Sequence, residues 1–255
     1  MSNKIRNFIE SSMLALSGLC VAFALSWGLL ASMNFSYGFW HDYGGIGWAI
    51  DEYGDDNQFR FGFHLTSKAQ REALFAGIAK AIQNDGVGLE DLEYQVPGYE
   101  PQKLLREPEV VHLVDVAHLV NKGMMLAAVA GLIWLVLWLY FFFWERAIPS
   151  LKRQVLSIFA LMAFLTLLVL LIGPVKIFYV AHEWVFPENH QWFFYYQESL
   201  MSTMMYAPYI FGWIALEWVV FALLIFPGLQ LGVAKLLAYA GNFKKGKNNS
   251  QEVRS

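Results

Sequence analysis

The chain has a single cysteine, Cys20, in 255 residues, and only 15% of its residues are Asp, Glu, Lys or Arg. One cysteine excludes an intrachain disulfide, and with it the class of small secreted domains held together by such bonds. A soluble chain typically carries about a quarter charged residues. The shortfall here excludes an ordinary water-facing surface, a disordered chain and a nucleic-acid binder built on a basic face. There is no internal repeat and no low-complexity linker. What is abundant is apolar and aromatic: 57% of the residues are hydrophobic, with 21 Phe, 12 Tyr and 10 Trp.

Four apolar stretches reach the roughly twenty residues, at about 1.5 Å each, that a helix needs to cross a hydrocarbon core. They run over residues 13–33, 119–143, 155–179 and 208–229. Backbone groups in lipid must be satisfied within the segment, so helices are predicted for all four. Aromatic clusters at Tyr140 to Trp144 and Trp192 to Tyr196 suit headgroup depth. The first stretch is too long for a signal-peptide core, and Ala31-Ser32-Met33 is a poor cleavage site, so it reads as a retained anchor. Leu19 directly before Cys20 also departs from a lipoprotein cleavage box.

The net charge of −3 is a sum of opposites. Lys4, Arg6, Arg146, Lys152, Arg153, Lys235, Lys244, Lys245, Lys247 and Arg254 lie in three segments that hold only three acids. Residues 34–118 hold fourteen acids and six bases, and residues 181–207 hold three acids and no base. The positive-inside rule places both termini in the cytoplasm and both longer loops outside. The predicted class is an all-α membrane protein with four transmembrane helices and a small mixed α/β extracytoplasmic cap between helices 1 and 2. Its expected segments are 1–33, an N-terminal segment and first span; 34–108, the cap; and 109–146, an interfacial helix continuing as the second span. A cytoplasmic loop at 147–154, the third span at 155–180, an outer loop rich in His and Trp at 181–207, the fourth span at 208–229 and a basic cytoplasmic tail at 230–255 complete it.

Within the cap, Phe59, Phe61, Phe63 and Leu65 alternate with Arg60, Gly62 and His64, the period of a half-buried strand. Ser67 to Gln70 can form a capping box for a helix carrying Leu74, Phe75, Ile78 and Ile82, which Asn84-Asp85-Gly86 then stops. The segment with Pro97, Pro101 and Pro108 reads as an extended connector. Pro108 suits a first helical turn, so the second span is expected to begin near Glu109 and to run to about Arg146, well beyond a bilayer core.

That protruding helix carries Glu109, His112, Asp115 and His118, spaced by three along one side. A second histidine segment, His182 to Trp192, follows the third span at a similar depth. A carboxylate near an imidazole fixes its tautomer and raises its basicity, as a general base requires. The residues themselves leave three readings open. They could serve acid–base catalysis, or share a cation, although no HExxH motif or cysteine ligand set is present, or only hydrogen-bond water and headgroups. His41, His64 and His190 are expected to be structural or solvated, and Glu217, near mid-span, to be buried and hydrogen-bonded.

Glu109-x-x-His112-Leu113-x-Asp115-Val116 before the second span, and His182, Phe186, Asn189, Trp192, Glu198-Ser199-Leu200 and Pro208 before the last, resemble the Lit family of bacterial lipoprotein intramolecular transacylases. The resemblance implies an integral enzyme of the bacterial cytoplasmic (inner) membrane with its active site at the extracytoplasmic face. It would move an acyl chain from the S-glyceryl group of a diacylated lipoprotein to the α-amine of that protein's N-terminal Cys, giving the lyso form. It further implies His112 and His182 as the catalytic pair, with Asp115 orienting or polarising His112. Glu109, His118, Phe186, Asn189 and Trp192 are then expected against substrate. No cofactor and no metal are required, and membrane lipids and the lipoprotein substrate are the expected partners, with no nucleic acid. The alternatives are a metal-dependent membrane lipid-ester hydrolase and a non-catalytic membrane assembly or sensor protein.

Overall fold

The computed structural model describes residues 3–144 and 146–252, with side chains over 4–144 and 146–241. Four helices are long and apolar enough to cross a membrane: Lys4–Ser32, Glu107–Phe143, Leu151–Ile172 and Tyr209–Gly241. The chain-order elements are α1 (Asn3–Ser32), α2 (Tyr37–Tyr43), α3 (Ile46–Tyr53), α4 (Lys68–Ile82), β1 (Glu93–Tyr94), β2 (Gln102–Lys103), α5 (Glu107–Phe143), α6 (Leu151–Ile172), α7 (Pro174–Val185), α8 (Leu200–Met204) and α9 (Tyr209–Glu252). α5 has the expected excess length, 37 residues or about 55 Å, against about 30 Å of hydrocarbon.

Contacts divide the chain into two units. The first contains residues 1–26, 125–171 and 219–255. Leu126 is 71% exposed and Leu171 73%, a lipid-facing pattern that water would penalise. With no hydrophobic drive between helices in lipid, close packing and polar contacts hold them together. Ala15, Leu19 and Ala22 of α1 pack with Ile158, Ala222 and Phe226. At Gly18 even a Cβ would stand 2.5 Å from Gln230 Nε2 and 2.8 Å from Trp134 Nε1. That close approach lets Gln230 donate to the Leu14 carbonyl at 3.3 Å while accepting from the Trp134 indole at 3.4 Å. Arg146 pairs with Glu10 at 3.4 Å and donates to the Tyr140 hydroxyl at 2.9 Å.

The second unit contains residues 27–124 and 172–218. Asn34, Phe35 and Ser36 all take left-handed backbone angles and turn the chain sharply out of α1. Ser67 caps α4 as expected, accepting from Gln70 N, and the helix buries Leu74, Phe75 and Ile78. Tyr37 stacks on Phe75 with centroids 4.3 Å apart and donates to the Met204 carbonyl at 2.8 Å. The stack of Tyr53 on Tyr196 at 4.7 Å and the Gln58 N to Gln197 O bond at 2.8 Å join the long loop to the segment after α7.

Several expectations are corrected. The alternation at 59–65 is not a strand, because Asn57 Oδ1 takes the N–H groups of Phe59 and Arg60, and Gly62 turns at φ +70°. Its rings pack separately instead: Phe59 under the Arg106 guanidinium, Phe61 on Tyr99, and Phe63 buried against Tyr94. The antiparallel ladder forms at Glu93↔Lys103 and Tyr94↔Gln102, within the stretch expected to be a plain connector. The third span stops at Ile172, where Gly173 at φ +98° and Pro174 start a separate helix, α7. The fourth extends far beyond residue 229, with Pro227 inside it. The side chains of Lys244, Lys245, Lys247 and Arg254 lie outside the described residues. Glu217 is only half-buried, and its Oε2 has no hydrogen-bond partner.

Candidate active site

α5 begins by a capping arrangement that its own sequence supplies. Glu109, the third residue of the helix, reaches back to accept from Arg106 N at 2.7 Å, satisfying a backbone donor at the helix start. The same carboxylate accepts from Ser199 Oγ at 2.5 Å and from Met201 N at 3.3 Å, and pairs with Arg106 Nε at 3.4 Å. Glu109 is 0% exposed. The expectation that it faces substrate is therefore corrected. Every oxygen is already engaged in fastening α5 to the start of α8, because a buried carboxylate must be paired and hydrogen-bonded.

One turn further along α5 is His112, 9% exposed. His182 stands one turn before the end of α7. The two rings face one another at 27°, with centroids 6.4 Å apart. Phe186 lies 4.8 Å from His112 and 5.2 Å from His182, and Phe194 closes the His112 side at 5.9 Å. Phe178 at 3.9 Å and Trp192 at 4.9 Å flank His182. The pair thus lies in an aromatic enclosure that buries His112, Phe186 and Phe194 and leaves His182 half-buried.

The two imidazoles are held differently. His182 Nδ1 is 2.7 Å from the Phe178 carbonyl, the residue four before it on α7. A carbonyl only accepts, so Nδ1 carries the proton and Nε2 the lone pair when the ring is neutral. Burial pushes the His182 imidazole below its ordinary value, with the Phe178 bond opposing the shift. His112 Nδ1 is buried and has no hydrogen-bond partner. The result is one oriented base and one unsatisfied ring nitrogen in a single enclosure.

Asp115 lies one turn beyond His112, yet the hydrogen bond it makes is to another histidine. His190 Nδ1 is 2.6 Å from Asp115 Oδ2, and both side chains are largely shielded. The expected orienting bond from Asp115 to His112 is not formed. His190, read from the sequence as structural or solvated, is structural: it ties the loop carrying Phe186, Trp192 and Phe194 to α5. The sequence carries no local signal for this pairing, which depends on where the loop after α7 folds back. His118 and Asn189 are exposed and make no hydrogen bond among the described residues. His41 and His64 belong to a separate cluster around Arg71. Among the described residues no group of three or more His, Cys, Asp or Glu is gathered to hold a metal ion.

The family model for lipoprotein intramolecular transacylase Lit matches residues 93–209, the stretch that contains both histidines, Asp115, His190 and Glu109 with its partners Ser199 and Met201. No curated protein matches the chain. Among solved structures, the fold is similar to that of the membrane-integral lipoprotein intramolecular transacylase Lit from Bacillus cereus carrying a histidine-to-arginine mutation. That similarity has a TM-score of 0.62 and 16% identity over 96% of each chain. A form with a histidine-to-alanine mutation gives 0.61 and 16% over 95% of this chain and 96% of that one. A further structure of the same protein gives 0.60 and 15% over 94% and 100%. This chain therefore matches the Lit family through the segment that builds the histidine enclosure, and over nearly its whole length it has the fold of membrane-integral Lit.

Proposed function

We propose that this chain is a lipoprotein intramolecular transacylase of the Lit type. The observation that carries the reading is the facing pair, His112 and His182, enclosed by Phe178, Phe186, Trp192 and Phe194. An acyl transfer within one lipopeptide needs a base for the attacking α-amine and an acid for the departing glyceryl oxygen, and two facing imidazoles can provide both. His182, with Nε2 free to accept, takes the amine proton as nitrogen attacks the ester carbonyl. The carbon–nitrogen bond forms, the carbon–oxygen bond to the glyceryl group breaks, and the proton from nitrogen ends on the released hydroxyl, delivered through His112. Nucleophile and ester belong to one molecule, so the protein's task is to fold that molecule onto itself, and an aromatic enclosure suits it.

The membrane topology follows the charge pattern: both termini cytoplasmic, the cap and histidine loop extracytoplasmic, in the bacterial cytoplasmic membrane. In this topology the enclosure would lie at headgroup depth, where a lipoprotein's glyceryl ester and its amine both sit. The test is to express the chain in cells containing diacylated lipoproteins and to fragment their N-terminal lipopeptides in a mass spectrometer. An isobaric product with one acyl group moved to nitrogen is expected, and it is lost in His112→Ala or His182→Ala. Unchanged lipopeptides in cells holding stably inserted protein would overturn the reading.

A further inference from the structure

An open cavity with a mixed polar and apolar wall lies apart from the histidine enclosure. It has a volume of about 590 Å³ and is lined by Gly28, Ala31, Ser32 and Asn34 at the exit of α1, and by Ala76, Ala79, Lys80, Gln83 and Asn84 along the end of α4. Ligand cavities typically hold about 300–1,000 Å³. Its lining includes Gly28, Ala31 and Ser32 in the last turn and a half of α1, a helix long and apolar enough to cross a membrane. Gly28 and Leu29 are exposed on α1, and nothing lies within 4 Å of where a Cβ on Gly28 would be. An acyl chain can therefore lie against the helix directly below the cavity.

The charge on its wall is unusual for the cap. Residues 34–108 hold six bases. Lys68, Arg71, Lys103 and Arg106 have carboxylate partners, and Arg60 donates to two backbone carbonyls. Of these six bases, Lys80 alone has neither an ion pair nor a side-chain hydrogen bond among the described residues. No carboxylate lines the cavity with it, although the cap is strongly acidic. A cation in the last turn of a helix is favoured by the helix dipole alone. The dipole does not account for the carboxylate-free cavity beside it, whose wall also carries the polar side chains of Ser32, Gln83 and Asn84.

We propose that this cavity binds the headgroup of a membrane glycerophospholipid. Lys80 takes the phosphate, and the glyceryl ester region lies against Gly28 and Ala31. The phosphate separates this ligand from the lipoprotein substrate, whose glyceryl thioether carries none. The site is thus independent of the transacylase reading.

The test uses the full-length protein in phosphatidylcholine vesicles containing a phosphatidylglycerol with a photoreactive headgroup. Cross-links are expected within residues 31–34 and 76–84, reduced at least about tenfold in Lys80→Glu and retained in His112→Ala. Excess free glycerol phosphate in the aqueous phase should leave them in place, since the acyl chains supply much of the affinity. Lys80→Gln, with an unaltered unfolding midpoint, should show the same direction of loss. Three results would each overturn the proposal: labelling spread evenly over the chain, labelling indifferent to Lys80, or equal labelling by a phosphate-free diacylglycerol probe.

Discussion

At the residue scale the decisive feature is how differently three similar side chains are used. His182 is oriented by a carbonyl on its own helix, His112 is buried with one nitrogen free, and His190 is bound to Asp115. Because burial lowers the His182 value, the ring stays neutral and able to accept a proton as pH falls below the ordinary 6.5. Activity is lost only when pH drops through that lowered value. The acid limb of the pH–rate profile is therefore expected below 6.5, and a limb at or above 6.5 would contradict His182 as the base. The Asp115–His190 pair makes a separate prediction. Misplacing reacting groups by about 1 Å can cost on the order of 10²-fold. Asp115→Ala and His190→Ala should each slow single-turnover transfer by about that factor, with the double variant no slower than either. His190→Asn, which keeps an N–H near the Nδ1 position, should recover most of the rate. The sequence made His112 and His182 legible because each stands in a patterned segment beside a span. The Asp115 partner was not legible, since the choice between His112, one turn away on α5, and His190, 75 residues on, depends on where a distant loop comes back.

At the scale of elements, Glu109 shows why helical spacing alone misleads. Its i, i+3 relation to His112 places it on the histidine side, but three polar groups from Arg106, Ser199 and Met201 draw its carboxylate into the protein. Removing it strands buried donors, each costing about 1–3 kcal/mol. Glu109→Ala should therefore lower the thermal unfolding midpoint in detergent and leave KM of the folded fraction unchanged. A raised KM with an unchanged midpoint would restore a substrate-contact role. The same contrast runs through the elements. The α4 cap at Ser67 and the overlong α5 were readable, because capping chemistry and apolar length are local properties. The false strand at 59–65 kept its period of two, but Asn57 and Gly62 gave its backbone to turns. The Gly173–Pro174 break was readable in principle from those two residues, and continuous hydropathy across them hid it.

At the scale of the whole molecule, a nearly balanced net charge resolves into ten bases and three acids in one set of segments and an acidic excess in the other. That asymmetry predicts a definite topology. In a Cys20→Ser background, a membrane-impermeant thiol reagent should label Asp55→Cys in intact cells and Lys152→Cys only after permeabilisation. The reverse pattern would place the histidine enclosure on the wrong face for a lipoprotein substrate. Length, composition and hydropathy were sufficient for the four-span plan, because bilayer thickness imposes a single dimension on every helix. They could not disclose the aromatic enclosure, whose rings come from α7 and the loop after it and meet His112 only in three dimensions. The most direct test of the account is the reaction itself, with purified protein in vesicles, a synthetic diacylglyceryl lipopeptide and product followed by mass spectrometry. Transfer of one acyl group to the cysteine α-amine is expected, slowed by about 10²–10⁴-fold in His112→Ala or His182→Ala. Transfer at the unmodified rate in both variants, or release of free fatty acid in place of the amide, would contradict the assignment of this pair to an intramolecular acyl transfer.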